Sequence, residues 1–241
     1  MRHFFIASTK FELLFGYQFY CSNRSKYMNV KLRTTTVIFF QLFAVICSAQ
    51  NNQFKFNVVE GNNGKPLGKI NAIAQDPYGY MWFAGGGEKC LYRYDGNRVS
   101  TFRHDDANPN SLGITIPQTV VADNAGMIWI GGDGLDQYNP ATGIFKHFRN
   151  DKNDPGSLAF NGVNSILKDR QGRLWVGTEK GLDRFDEKTE KFIHYRNKRG
   201  DQKSLSSNVV WRIYEDRQGV IWIATGFPWL KKTLKMAVLT D

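Results

Sequence analysis

Cysteine is scarce in this chain. Cys21, Cys47 and Cys90 are the only three among 241 residues, and the first two fall in a stretch that reads as a removable leader. Cys90 is then alone, which excludes a disulfide framework and a thiolate zinc site. Histidine is as sparse, at four residues, so no imidazole cluster is available for a metal and none is expected. No segment repeats its apolar residues with the 3.6-residue helical period over a useful length. The run Val37-Ile38-Phe39-Phe40-Gln41-Leu42-Phe43-Ala44-Val45-Ile46 has about ten residues where a bilayer crossing needs about 20. The mature chain is therefore expected to carry no membrane span.

Charge of one sign is also less abundant than it first looks. The formal charge is +10, but residues 1–49 hold a net +5 and residues 227–241 a net +2, leaving +3 for 50–226. A surface that neutralises many phosphates needs a larger local excess, so nucleic acid is not an expected partner. Hydrophobic residues at 41%, with 14% aromatics, are ample for a packed core and exclude wholesale disorder.

The first 49 residues read as targeting sequence. Lys31 and Arg33 precede the apolar run, and Cys47-Ser48-Ala49 places small residues before Gln50, the pattern of a cleaved signal peptide over 28–49. A lipoprotein reading of Cys47 is weaker, because Ile46 is bulky, and an uncleaved anchor stays open. Residues 1–27 fit neither the basic start of a leader nor a repeat unit. Translation is expected to start at Met28, which N-terminal sequencing of the precursor would test.

What the chain has in abundance is periodicity. Trp82, Trp129, Trp175 and Trp222 stand 47, 46 and 47 residues apart. Asp76, Asp123, Asp169 and Asp216 keep the same intervals, as do Gly79, Gly126, Gly172 and Gly219. Four registered copies of D-x-x-G-x-x-W define a repeat. Within residues 163–196, short apolar runs alternate with turns. Val163–Lys168, Arg173–Thr178, Leu182–Phe185 and Lys191–Arg196 read as strands, and Asp169-Arg-Gln-Gly172 reads as a turn between the first two. Four antiparallel strands recurring about every 47 residues describe a β-propeller blade. The expected fold is all-β, an incomplete propeller of about three and a half blades. Blades are expected at 70–103, 117–149, 163–196 and, with two strands only, 209–226. Residues 50–69 form a linker in which Phe54–Val59 is the strand expected to close a ring. Residues 227–241 match no earlier unit, which points to a frameshift or premature stop, and the isolated product is expected to be marginal in stability. The repeated Trp, Asp and Gly are assigned to packing and turns, not to a site.

Val163-Asn-Ser-Ile-Leu-Lys-Asp-Arg-Gln-Gly-Arg-Leu-Trp-Val-Gly-Thr-Glu-Lys-Gly-Leu-Asp-Arg-Phe-Asp186 resembles the two-component regulator propeller repeat. The Ser-Leu pairs 111–112, 157–158 and 204–205 fit it too. Blade 1 departs with Cys90-Leu-Tyr92 where Gly-Leu-Asp is usual, and blade 4 with Ala224 for a second-strand Gly. The resemblance covers residues ~54–226. It implies the N-terminal periplasmic sensor region of a hybrid two-component system of Bacteroidetes-type bacteria, the full-length protein anchored in the inner membrane and dimeric. It also implies an oligosaccharide or other small ligand. The kinase, receiver and DNA-binding parts of such systems are not in this sequence, so no cofactor and no catalysis are expected of it.

A ligand would be expected at the mouth of the central channel, where the innermost strands begin. In register there are Asn71, Gln118, Asn164 and Trp211: three groups able to bond sugar hydroxyls and one able to stack on a pyranose. The alternative is that they satisfy channel backbone or pack. His147 and His194, on fourth strands of different blades, read as solvated surface with no acid beside them. Asp151-Lys-Asn153-Asp154 offers oxygen ligands, but no Glu follows at the twelfth position to complete a calcium loop. Two other classes stay open: a secreted propeller enzyme such as a lyase or glycosidase, and an adhesion module that binds protein. An enzyme should break the repeat with a convergent acid or histidine at one blade, and no such break is visible.

Overall fold

A computed structural model describes residues 55–226 and a strand at 235–239. The leader, residues 1–27, Cys21 and Cys47 lie outside the described residues. Fifteen strands follow one another with no helix among the described residues. Blade 1 comprises β1 (Ile70–Gln75), β2 (Met81–Gly85), β3 (Cys90–Tyr94) and β4 (Val99–Arg103). Blade 2 comprises β5 (Thr119–Ala122), β6 (Ile128–Gly131), β7 (Leu135–Asn139) and β8 (Ile144–Phe148). Blade 3 comprises β9 (Val163–Lys168), β10 (Leu174–Thr178), β11 (Gly181–Asp186) and β12 (Lys191–Tyr195). Blade 4 comprises β13 (Val210–Glu215), β14 (Ile221–Thr225) and β15 (Lys235–Leu239). Each sheet is an antiparallel meander in chain order, as short strands joined by tight turns require.

One feature differs from the sequence reading. Blade 4 holds three strands, because β15 from the non-repeat tail pairs with β14 from Ile221↔Leu239 to Thr225↔Lys235. An unpaired edge on β14 is a row of open backbone groups, and a ladder can fill it with little regard to side-chain identity. The expected closing strand at 54–59 forms no ladder over residues 55–59; the nearest pairing is the Glu60↔Pro66 bridge.

The repeated motif has a direct physical explanation. In blade 2 the Asp123 carboxylate accepts the backbone N–H of Ala125 (3.0 Å) and Met127 (2.9 Å) through one oxygen and the Trp129 indole N–H (3.2 Å) through the other. Asp76 does the same for Tyr78, Tyr80 and Trp82, and Asp216 for Gln218, Val220 and Trp222. Asp169 takes Arg173 N–H and the Trp175 indole. The glycine that closes each turn sits at positive φ, +92° at Gly79 and +82° at Gly126, where a Cβ would strain the backbone. One carboxylate thus ties turn to core tryptophan inside every blade.

The indoles then join neighbouring blades. Trp82 is fully buried and packs with Val120, Ile128, Ile130 and Tyr138 of blade 2, its ring 5.8 Å from Tyr138. Trp129 repeats this against Val163, Ile166, Leu174 and Phe185 of blade 3, 5.3 Å from Phe185. Trp175 packs with Val210, Ile213, Ile221 and Ile223 of blade 4. The apolar core is therefore a series of layers between sheets. Removing one indole is expected to cost about 3–5 kcal/mol.

Candidate functional site

Strand direction defines two rims. One carries the D-x-x-G turns. The other gathers the starts of β1, β9 and β13, the turns from second to third strand, and the long connectors 104–118, 149–162 and 196–209. All four sequence-predicted ligand residues lie at this connector rim. Asn71, Asn164 and Trp211 are each the extra residue of a β-bulge: pairing skips from Ile70 to Ala72, from Val163 to Ser165 and from Val210 to Arg212. Bulges re-aim side chains, and here the aim is defined. The Asn71 amide donates to Pro117 O at the end of the connector into blade 2 (2.9 Å) and that of Asn164 to Val210 O of blade 4 (3.1 Å). The two asparagines stitch innermost strands together while standing at the rim. Trp211 Nε1 donates to Gly226 O, and Gln118 is exposed one residue before β5. The structure brings the four to one rim in register, one per blade, rather than into one pocket.

The connectors share a latch that accounts for the Ser-Leu pairs. Ser157 Oγ accepts Asp151 N–H and donates to Asp151 O, each at 2.9 Å, while Leu158 beside it is fully buried. Ser111 with Asp105 and Ser204 with Lys198 repeat the arrangement. Asn150 and Asn197 bond the buried leucine's carbonyl, a task that falls to His104 Nδ1 on Leu112 O (2.8 Å) in the first connector.

His147 and His194 are not the bare surface residues expected. Asp136 pairs across the β7–β8 ladder with His147, and Asp183 across β11–β12 with His194. His147 Nδ1 lies 2.9 Å from the Asp136 carboxylate and Nε2 3.0 Å from Pro109 O. His194 makes the same pair of contacts with Asp183 (2.7 Å) and Pro155 O (2.9 Å). Both carboxylates are fully buried. A buried carboxylate needs donors, and the neighbouring strand and connector supply them. Asp183 also accepts Ala159 N–H; burial pushes its carboxyl above the usual range, against the pull of His194. The signal for the pairing was in the sequence, since both blades place His eleven residues after Asp at the end of Gly-Leu-Asp.

Blade 1 replaces this pair. Tyr92 and Thr101 stand where Asp and His stand in blades 2 and 3, and Cys90 is fully buried beside them, its thiol pushed up by burial.

Arginine at the rim behaves differently in the two complete pairs. Arg149 lies under its connector and donates to Asp136 (3.0 Å) and Gly113 O (2.5 Å). A Cβ on Gly113 would meet Arg149 Nη2 at 2.7 Å and His147 Nδ1 at 2.5 Å. Blade 3 has Ala159 at that register, and Arg196 instead lines a cleft of about 530 Å³ with Asn150, Asp151, Asp154, His194 and Lys198. A smaller hollow of about 210 Å³ continues past Arg196 and Lys198 to Asp201, Lys203 and Ile223. This cleft was missed in the sequence, because its walls are connector residues outside the repeat register. The calcium-loop oxygens are engaged elsewhere: Asp151 accepts Asn153 N–H, and Asp154 accepts Gly156 N–H and Lys191 Nζ. No group of three metal-ligating side chains occurs among the described residues, and no described helix is long and apolar enough to cross a membrane.

Three four-stranded sheets and a three-stranded one packed face to face in chain order, with one registered tryptophan per sheet, define a β-propeller. The family profile of the two component regulator propeller matches residues 64–87, 157–180 and 204–227, covering the Ser-Leu latch and the Asp-Gly-Trp turn in blades 3 and 4. Three stretches of the chain thus match two-component regulator propeller repeats. Among solved structures it is similar to the extracellular domain of a protein described as a hybrid two component system from B. thetaiotaomicron. That likeness has 28% identity and a TM-score of 0.58, over 71% of this chain and 23% of that one. A structural genomics protein of unknown function from Bacteroides thetaiotaomicron shares the fold at 19% identity and TM-score 0.50, over 71% and 48%. Virginiamycin B lyase from Staphylococcus aureus shares it at 11% and 0.51, over 78% and 60%. No protein of curated function matches the chain.

Proposed function

We propose that this chain is part of the extracellular, periplasmic propeller region of a hybrid two-component sensor and that its connector rim binds an oligosaccharide. The observation that carries the reading is the 28% identity with an extracellular hybrid two component domain at TM-score 0.58, on a chain whose repeats match the regulator propeller profile. The rim supports the ligand class. Gln118 stands just before β5 and Trp211 at the bulged start of β13, and a cleft elsewhere among the connectors is walled by Asn150, Arg196 and Lys198. Amide and cationic donors with an indole suit a polyhydroxylated ligand better than an apolar one. In this reading the chain is a non-catalytic binding module, and ligand biases a pre-existing equilibrium between arrangements of paired propellers. In the full-length protein, expected to be a homodimer anchored in the inner membrane, that bias reaches the cell interior.

Isothermal titration calorimetry of the full chain against an oligosaccharide panel tests this. Saturable heat from one member is expected, weakened about tenfold or more by Trp211→Ala, roughly 1.4 kcal/mol. Silence across the panel overturns the oligosaccharide reading, and turnover of a sugar replaces it with an enzyme.

A further inference from the structure

One arginine breaks the pattern of its repeat. Leu91, Leu135 and Leu182 pair with Phe102, Phe148 and Tyr195 on the fourth strands, so Arg103, Arg149 and Arg196 follow in the same register. Arg103 donates to the Glu88 carboxylate (2.9 Å) and to Glu88 O. Arg149 donates to Asp136, Leu135 O and Gly113 O. Arg196 has neither a hydrogen bond nor an ion pair among the described residues, and it stands exposed in the cleft of about 530 Å³. Two residues further on, Asp105 and Asp151 give way to Lys198. The cleft is walled by the connector into blade 3, by His194 of β12 and by Arg196 and Lys198. Its walls therefore belong to a complete blade and to the connectors on either side of it.

The cations and carboxylates of this cleft are unevenly matched. Lys152, Arg196 and Lys198 line it, and among the described residues none of these side chains has a partner. Its acids are engaged. Asp154 accepts Lys191 Nζ and Gly156 N–H, and the buried Asp183 behind His194 accepts Ala159 N–H and faces His194 Nδ1. Asp151 caps Asn153 N–H and is the one exposed carboxylate without a cationic partner. A volume of about 530 Å³ falls within the range of about 300–1,000 Å³ usual for small-ligand sites.

We propose that the blade 3 cleft binds the acidic group of a saccharide, a carboxylate or a sulfate ester, on Arg196, Lys198 and Lys152. A guanidinium offers paired N–H donors that match two oxygens of either group, and the lysines add point charges. In blades 1 and 2 the same arginine is spent inside the protein, so the site belongs to blade 3 among the described blades. The proposal narrows the oligosaccharide reading to acidic sugars and rests on it.

Calorimetry on the full chain tests it with two matched pairs of probes. Tetragalacturonate is set against its methyl ester, and a sulfated galactan tetrasaccharide against its desulfated form, so the pairs tell carboxylate from sulfate. At least one acidic probe is expected to bind, its neutral counterpart about tenfold or more weaker, with affinity that falls as salt rises. Arg196→Gln should bring the acidic probe down to its neutral counterpart while circular dichroism stays that of the parent, because the side chain is exposed and holds nothing in place. Lys198→Asp, which installs the charge that blade 2 carries there, should do the same. Neutral forms that bind as tightly as the acidic ones overturn the proposal and leave the oligosaccharide reading standing. So does acidic binding that survives Arg196→Gln and is lost in Trp211→Ala, which places the ligand at the channel mouth. Silence from all four probes overturns the proposal too; the wider reading then falls only if neutral oligosaccharides of the larger panel are silent as well.

Discussion

Replacing Asp123 by alanine tests whether the repeated carboxylate holds each blade together. Three donors lose their acceptor: two turn amides at 3.0 and 2.9 Å and the Trp129 indole at 3.2 Å. Trp129 is fully buried, so water cannot reach its N–H unless the sheets part. A buried donor left without a partner costs about 1–3 kcal/mol, and the two part-buried amides add roughly 0.5–1 each. The total is about 3 kcal/mol, a large share of the roughly 5–15 kcal/mol that stabilises a typical domain. Asp216→Ala removes the same three bonds around Trp222. There the indole is half-buried beside an open hollow, and water can replace the lost oxygen, so a distinctly smaller loss is expected. Urea unfolding followed by far-ultraviolet circular dichroism gives both values from the shift in midpoint. Equal destabilisation at the two positions, or less than about 1 kcal/mol at Asp123, would refute the claim that a buried indole makes the carboxylate matter.

Three further outcomes follow from the rim and the turns. Gly113→Ala should drive Arg149 from beneath its connector, because the new methyl would sit 2.7 Å from Nη2; a cost of about 1–3 kcal/mol and a cleft at blade 2 resembling that beside Arg196 are expected, checked by denaturation and a crystal structure of the variant. His194→Ala leaves the buried Asp183 carboxyl with one fewer donor and should destabilise by roughly 2–3 kcal/mol, with His194→Gln recovering part of it in the same melt. Stability should also fall at both ends of the pH range. Burial alone would raise Asp169, yet the Trp175 indole and Arg173 hold it below the usual carboxylate value, and the Trp222 indole does the same first of all for Asp216. Their contribution is present above the unfolded value of about 3.9 and is lost as pH falls through the lowered one. The Leu112 carbonyl and Asp106 hold His104 above its usual value. Its contribution is present below about 6.5 and is lost as pH rises through the raised value. Relative to the base-catalysed rise in exchange that all amides share, protection along the 104–112 connector should therefore fall on the alkaline side more than in the other connectors.

The blades were legible because their signals are local. A carboxylate, a glycine and an indole within seven residues report one hairpin, and the structure uses all three in that hairpin. The Ser-Leu pairs were visible for the same reason, since the latch also closes within seven residues. What escaped lies between segments. Asp136 meets His147 and Asp183 meets His194 only because β7–β8 and β11–β12 pair in that register, and neither member looks unusual on its own strand. The third strand of blade 4 escaped because residues 227–241 lack the Gly-Leu-Asp cue, while an open ladder asks only for an extended backbone. The charged cleft beside Arg196 lies where Ala159 takes the register position of Gly113, a one-methyl difference within otherwise matching Ser-Leu connectors. Asn71 and Asn164 stand in register at the connector rim, but their reach to Pro117 O and Val210 O depends on bulges that no residue pattern announces.

Each carboxylate-bound turn completes itself from residues that leave the ribosome within moments of one another, and each new wedge then needs only its immediate predecessor as a template. Such a chain can assemble vectorially, one sheet at a time, with little loop entropy to overcome. The same sameness carries a hazard. Faces interchangeable enough to dock in sequence are interchangeable enough to dock out of turn, so skipping a whole wedge is the misfolded state against which Tyr138, Phe185 and the differing connectors must discriminate.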